Sequence, residues 1–237
     1  MKKKVLAVAL AVALIAIMVS GTLAYFTDHD EVTNTFTVGS VKIDIYENNH
    51  ITDTDKITFE KPLIPIVNVD NPRKDISYIA KAVEVKNSGL NDAYIRVHIA
   101  IPTELVGYLY LDLNETGWTR QADSTATVEG VAYTVFTYNC NAAVVPNGTT
   151  GLLLNGVYLG SDVDLQEDAN GNLVFIRRNA DGSVAATSAF VAHTKTDNGY
   201  TSNSVNILVA SQAIQKEGFT DAAAALDAGF GAKNPWQ

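Results

Sequence analysis

Over several stretches of this chain, side chains of one character fall on every second position. Val32, Asn34, Phe36 and Val38 alternate with Thr33, Thr35, Thr37 and Gly39; after Gly39-Ser40, Val41, Ile43 and Ile45 alternate with Lys42, Asp44 and Tyr46. A period of two rich in β-branched and aromatic residues predicts strand, bend, strand. In AYIRVHIAI, residues 93–101, Ile95, Val97, Ile99 and Ile101 take one face, and Tyr94, Arg96, His98 and Ala100 the other. That pattern suits a sheet with one buried face, and it assigns His98 to the solvent side.

Further strands are predicted at 76–86, from Gly117 to Thr119, over 131–145, and in LLLNGVYLG, NLVFIRR and VAATSAFVAH; SVNILVASQA, residues 204–213, alternates again. Residues 103–113 fit a short helix or a strand. Pro62, Pro65 and Pro72 exclude helix from KPLIPIVNVDNPRKD, which reads as an extended connection. Turn chemistry stands at Asn48 to Asp55, Asn87-Ser88-Gly89 and Pro146-Asn147-Gly148. Asn155-Gly156, Asn170-Gly171 and Asp181-Gly182 are hairpin signals, because their residues tolerate positive φ. Near the C-terminus, Thr220 is placed to cap a short helix, DAAAALDAGF, which must dock to be stable.

Many strands, little helix and no alternation of strand with helix predict an all-β protein: an antiparallel β-sandwich, with a barrel as the competing closure, and a short C-terminal helix.

The N-terminus changes the picture. Lys2, Lys3 and Lys4 precede a run from Val5 to Met18 with no charged or amide side chain, the two parts of an export signal. The run is short for a bilayer span, which needs about 20 residues. No cation follows it closely, and Thr22 and Ala24 supply the small residues wanted before a cut, so cleavage is expected between Ala24 and Tyr25. A retained anchor is the alternative. Residues 1–24 are then the signal peptide and 25–237 one β-sandwich domain, whose N-terminal segment, 25–38, is mobile.

The chain has 17 basic and 26 acidic residues; the leader removes three basic ones, leaving 14 against 26, a net charge of −12. So acidic a surface disfavours nucleic acid and anionic lipid, and membrane association is expected only through the leader. The lone cysteine, Cys140, cannot form an internal disulfide and reads as a small buried hydrophobe.

Candidate chemistry is sparse. The histidines, His29, His50, His98 and His193, lie far apart with no His-Glu-x-x-His, and there is no Gly-x-Ser-x-Gly, phosphate loop or Cys-x-x-Cys. No catalytic residue, metal site or cofactor is implied. Two acidic clusters, Asp28 to Glu31 and Asp162, Asp164, Glu167, Asp168 with Asn170, read as solvated loops, the second lacking the spacing of a helix-loop-helix calcium site. Asn114 and Asn147 stand in glycosylation-like tripeptides. Aromatic residues at Tyr108, Tyr110, Trp118 and Tyr158 could equip a module that binds glycan or a surface partner.

The leader ending GTLAYFTD, residues 21–28, looks like one processed by a SipW-type signal peptidase. With NTFTVGSVKIDIYEN, residues 34–48, it resembles the TasA/camelysin family of exported proteins; a looser likeness runs through 88–101, 144–157 and 207–228. The resemblance implies a secreted, jelly-roll-like sandwich at the cell surface or in a biofilm matrix, with copies of the chain assembled into a fibre. It places the mature N-terminus at Tyr25. Tyr25, Phe26, Val32, Phe36 and Val38 would then mark a segment that adds as a strand to a neighbour's sheet, although period two equally allows it to be the first strand of its own. Camelysin-like members are classed as metallopeptidases, but no peptidase motif can be carried onto named residues here.

Overall fold

The structure is a computed structural model, and it describes residues 27–29, 41–47, 50–51, 56–57 and 63–237. The cleavage residues Thr22, Ala24 and Tyr25, and the strand-addition residues Phe26, Val32, Phe36 and Val38, lie outside them. So does most of the polar turn from Asn48 to Asp55.

The described strands pair antiparallel. In chain order they are β1 (Thr27–His29), β2 (Ile43–Glu47), β3 (His50–Ile51), β4 (Lys56–Ile57), β5 (Ile79–Asn87), β6 (Ala93–Pro102), β7 (Leu109–Leu113) and β8 (Trp118–Arg120). Then come β9 (Ser124–Val128), β10 (Val131–Cys140), β11 (Leu154–Leu159), β12 (Val163–Glu167), β13 (Leu173–Arg178), β14 (Val184–Thr196), β15 (Gly199–Ser202) and β16 (Ile207–Gln215). Helix α1 (Ala222–Phe230) follows.

The strands form three sheets. One runs β1-β16-β6-β10-β8, with β4 also on β16 and β9 on β10; a second runs β3-β2-β5-β11-β7; a third, β12-β13-β14-β15, is a meander between β11 and β16. The first two sheets close over one apolar core in a sandwich-like arrangement. Ile95, Val97, Ile99, Tyr138, Ile207 and Val209 come from the first; Ile43, Ile45, Val83, Val85, Leu154 and Val157 come from the second. Cys140 joins this core as a buried free thiol, and burial raises its pKa.

The other face of the first sheet is covered as well. Registers β6–β10 and β6–β16 put Tyr94, Arg96, His98 and Ala100 on one face with Val135, Thr137, Asn139, Leu208, Gln212 and Ile214. Helix α1 lays Ala222, Ala225 and Leu226 on Tyr94 and Ile214, and Trp236 packs on Ala100, Val135 and Leu208. Every residue of β6 is therefore buried. Alternation located this strand but could not show that its polar half would be covered.

Several local expectations are corrected. Asn155-Gly156 is no turn: it lies within β11, where the register shifts, and a Cβ on Gly156 would sit 2.5 Å from the carbonyl oxygen of Ile79 and against the Tyr78 ring. Glycine is needed there for close approach rather than for a bend. Asp221, not Thr220, caps α1, its Oδ1 accepting from the Ala224 amide at 2.8 Å. The strand predicted from Ile76 begins at Ile79, because Asp75 holds the preceding residues in a loop. Residues 103–113 divide into a 3₁₀ turn, Thr103–Leu105, and β7. The hairpins at Asn170-Gly171 and Asp181-Gly182 form, with φ of 80° and 83° at their glycines.

Candidate functional site

The outer edge of β16 is where the N-terminal segment meets the rest of the chain. Thr27, Asp28 and His29 of β1 stand opposite Ile214, Ala213 and Gln212, while Lys56 and Ile57 of β4 stand opposite Leu208 and Ile207. Between these short strands, Val209, Ala210 and Ser211 have no strand partner on that side among the described residues. Among the described residues, the edge is thus met by two pieces of two and three residues. A strand edge completed by short segments is the geometry in which one ribbon can be exchanged for another.

The edge is held in place by a polar layer under α1 and the C-terminal tail. Arg96 donates from Nε to Asn139 Oδ1 at 2.7 Å, from Nη1 to the Gly231 carbonyl at 2.7 Å and from Nη2 to Asp227 Oδ1 at 2.5 Å. One guanidinium therefore links β6, β10 and the end of α1, using the fixed fork of its donors.

His98 is 1% exposed, which corrects its placement at the solvent face. Its Nδ1 bonds Thr137 Oγ1 at 2.9 Å, its Nε2 bonds Gln212 Oε1 at 3.0 Å, and Trp236 meets the ring edge-on. With both ring nitrogens in hydrogen bonds to neutral side chains, His98 crosses from β10 to β16 as a structural link. Its signal in the sequence was the company of Arg96 on one short strand: two large polar residues facing the same way call for a covering element.

The other predicted groups separate. Trp118 and Tyr108 are core residues, whereas Tyr110 and Tyr158, cross-strand neighbours on β7 and β11, stack with centroids 5.6 Å apart. Tyr78 lies 6.4 Å from Tyr158 and donates from Oη to Asp112 Oδ2 at 2.7 Å. Arg73 grips the same carboxylate with Nε and Nη2, at 2.5 and 2.8 Å. The hydrogen bonds from Arg73 hold Asp112 below the usual carboxylate range, with Tyr78 adding to them against the opposing effect of burial.

Each carboxylate of the second acidic cluster has its own protein partner. Asp162 accepts from Arg177, Asp164 from Arg178 and Glu167 from Tyr200, and Asp168 accepts the amides of Asn170 and Asn172. This is ion pairing and turn closure rather than a calcium cage. Asp28 to Glu31, as an acidic cluster, lies outside the described side chains.

Residues 1–90 match the family model described as camelysin metallo-endopeptidase. The match spans residues 1–24, β1 to β5 and the turn to Leu90, little over a third of the chain. No curated protein and no solved structure matches. The family description implies a metal, so the donor set can be tested. Within residues 1–90 the histidines are His29 and His50, on strands of different sheets. Among the described residues no group of three or more His, Cys, Asp or Glu is placed to hold a metal ion. The described donors do not fit a peptidase centre, and no peptidase step is derived from them.

Proposed function

We propose that the chain is an exported structural subunit, built into a cell-surface or matrix fibre by strand addition at the outer edge of β16. The observation that carries this reading is the pairing of Thr27–His29 with Gln212–Ile214 at a sheet edge, three residues past the expected cleavage point. Within one chain the segment completes its own sheet; between chains the same backbone bonds would join two subunits. The expected export leader, its likeness to leaders processed by a SipW-type peptidase, and the family match over residues 1–90 support the reading. In this reading the leader is the only part that enters the membrane, and the mature protein is extracellular.

Electron microscopy of the secreted protein with and without residues 25–38 tests it. Fibres from the full mature chain and monomers from the shortened one are expected. Monomers in both, over a broad concentration range, would refute it.

A second reading is favoured by the Tyr110–Tyr158 stack beside Tyr78 and Arg73: a half-buried aromatic face on the second sheet suited to the apolar side of a sugar ring. Tyr158→Ala should then abolish retention on immobilised cell-wall glycan, and retention unchanged by the substitution would remove this reading.

A further inference from the structure

Asparagine is followed by glycine at Asn147-Gly148, Asn155-Gly156, Asn170-Gly171 and Asn198-Gly199. Such a dipeptide closes a five-membered succinimide more readily than any other, because glycine has no side chain to hinder attack by its own amide nitrogen on the preceding carboxamide. The ring forms only when that nitrogen leaves its hydrogen bond and the peptide turns out of its folded geometry. Packing therefore decides which of these sites reacts.

Three are held. The Asn147 amide donates to the Asn87 carbonyl at 2.7 Å, the Gly148 amide donates to the Val145 carbonyl at 2.9 Å, and the Gly148 carbonyl accepts from the Asn87 amide at 3.0 Å. Asn155-Gly156 lies within β11 between β5 and β7, and Asn155 Nδ2 donates to the Asp112 carbonyl at 3.2 Å. The Asn170 amide donates to Asp168 Oδ1 at 2.8 Å and the Gly171 amide to the Asp168 carbonyl at 3.0 Å, beneath the Lys195 side chain.

Asn198 differs on each count. With Asp197 it forms the two-residue turn between β14 and β15, and every residue from Thr194 to Ser204 is exposed. Among the described residues, no hydrogen bond holds its carboxamide. A Cβ placed on Gly199 would meet no atom within 4 Å, whereas one on Gly148, Gly156 or Gly171 would meet an atom at 3.0 Å or less. Gly199 pairs with Thr196 at the open end of a ribbon bathed on both faces, where strand pairing frays at least cost.

We propose that Asn198 is a site of spontaneous deamidation, the Asn-Gly pair that the fold leaves able to react. The Gly199 amide gives its proton to solvent base and its nitrogen attacks Cγ of Asn198; the N–Cγ bond forms, the Cγ–Nδ2 bond breaks, and ammonia leaves. Water then opens the succinimide at either carbonyl, giving aspartate or isoaspartate, and no oxidant or reductant takes part. The reaction needs only the folded chain and water, so it is independent of subunit assembly.

The product alters the end of the third sheet. A new carboxylate stands beside Asp197, and isoaspartate adds a methylene to the backbone of the turn. That breaks the Thr196–Gly199 register and the bond from Thr196 Oγ1 to the Gly199 carbonyl at 3.1 Å. Tyr200, whose Oη donates to Glu167 Oε1 of β12, follows directly in the chain. Strand β15 gives no residue to the apolar core, so the sandwich stays folded while the ribbon loosens.

Tandem mass spectrometry of peptides from the full secreted chain, aged in warm, mildly alkaline buffer, tests this. In the folded chain Asn198 should show the mass gain of deamidation at least about tenfold faster than Asn147, Asn155 or Asn170, and in urea the four rates should converge. Conversion at Asn198 no faster than at the other three would overturn the proposal. A lead that persists unchanged in urea would overturn it too, since it would come from the local sequence and not from the fold. Asn198→Gln, one methylene too long for the five-membered ring, should abolish the modification on the same timescale at unchanged Tm. Aged wild-type chain should then be cut within residues 194–204 faster than the equally aged variant, and equal cutting would refute the loosening of the ribbon.

Discussion

Arg96 on β6 reaches through the covering layer to Asp227 on α1, Nη2 to Oδ1 at 2.5 Å; the guanidinium side chain is 3% exposed and the carboxylate side chain 59%. The pair is lopsided: the cation is buried and its anion faces water. Replacing Arg96 by Met leaves Asn139 Oδ1 and the Gly231 carbonyl without their donor and should cost about 2–4 kcal/mol. Asp227→Asn, at the wet end, should cost about 1 kcal/mol or less. Urea unfolding of both variants checks the ranking; equal losses would contradict it.

Asp75 predicts how the loop before β5 responds to acid: its Oδ2 accepts the amides of Val67 and Asn68 at 2.7 Å and its Oδ1 that of Ser77 at 2.8 Å. Hydrogen bonds from the amides of Asn68, Ser77 and Val67 lower its pKa from 3.8 to about 2. A carboxyl depressed in the folded state contributes its stabilisation fully above the unfolded value and loses it as pH falls through the folded one. The loop should therefore stay tied above about pH 4 and loosen as pH approaches 2. Amide exchange at Val67, Asn68 and Ser77 reads this directly, and Asp75→Asn should show the fast exchange at neutral pH. Exchange in the variant as slow as in the wild type would show that other contacts hold the loop.

Gly156 predicts a narrow steric tolerance. A Cβ there would stand 2.5 Å from the Ile79 carbonyl oxygen, and because that atom is backbone, turning the Tyr78 ring away cannot relieve it. Gly156→Ala should destabilise by about 1–3 kcal/mol, as overpacking does elsewhere. It should also displace Tyr78 from Asp112, visible as altered tyrosine fluorescence. A neutral substitution would mean that β5 and β11 separate more easily than their packing suggests.

The C-terminal tail predicts the fourth outcome. Asn234 Nδ2 donates to Ser124 Oγ at 2.9 Å, Gln237 Nε2 donates to the Thr125 carbonyl at 2.9 Å, and Trp236 covers Ala100, Val135 and Leu208 beside His98. Trp236→Ala should cost about 2–3 kcal/mol, below the value for a fully buried aromatic because the ring is half-buried. Faster exchange of the β6 and β10 amides should accompany it. Unchanged exchange would mean that the tail is not what seals this face.

Legibility followed the range of the interactions involved. Strand character in β2, β6, β10 and β16 was readable because alternation is imposed by local backbone geometry. The hairpin glycines at 171 and 182 were readable because positive φ is a local demand. Gly156 shows where that logic stops: the same dipeptide that signals a turn sits in mid-strand, for the sake of a tyrosine 78 residues earlier in the chain. The helix cap was misassigned by one position, since Thr220 and Asp221 are both competent caps and only the direction of chain entry chooses between them.

The site divided in the same way. Nothing about His98 alone separates a solvated histidine from a buried bridge; its partners, Thr137 and Gln212, are 39 and 114 residues away in the chain. The four aromatics proposed as one binding end, Tyr108, Tyr110, Trp118 and Tyr158, were similar in type and unlike in fate, two entering the core and two stacking outside it.

The order of residues by itself determined the all-β antiparallel character, the lone thiol as a core residue and the lack of any motif for catalysis, because each is a matter of composition or of spacing over a few residues. Only the tertiary structure decided which edge meets the N-terminal strand and that both faces of the first sheet are covered. These depend on which distant segments come together, and a one-dimensional pattern records how a strand alternates but not what lies on either side of it.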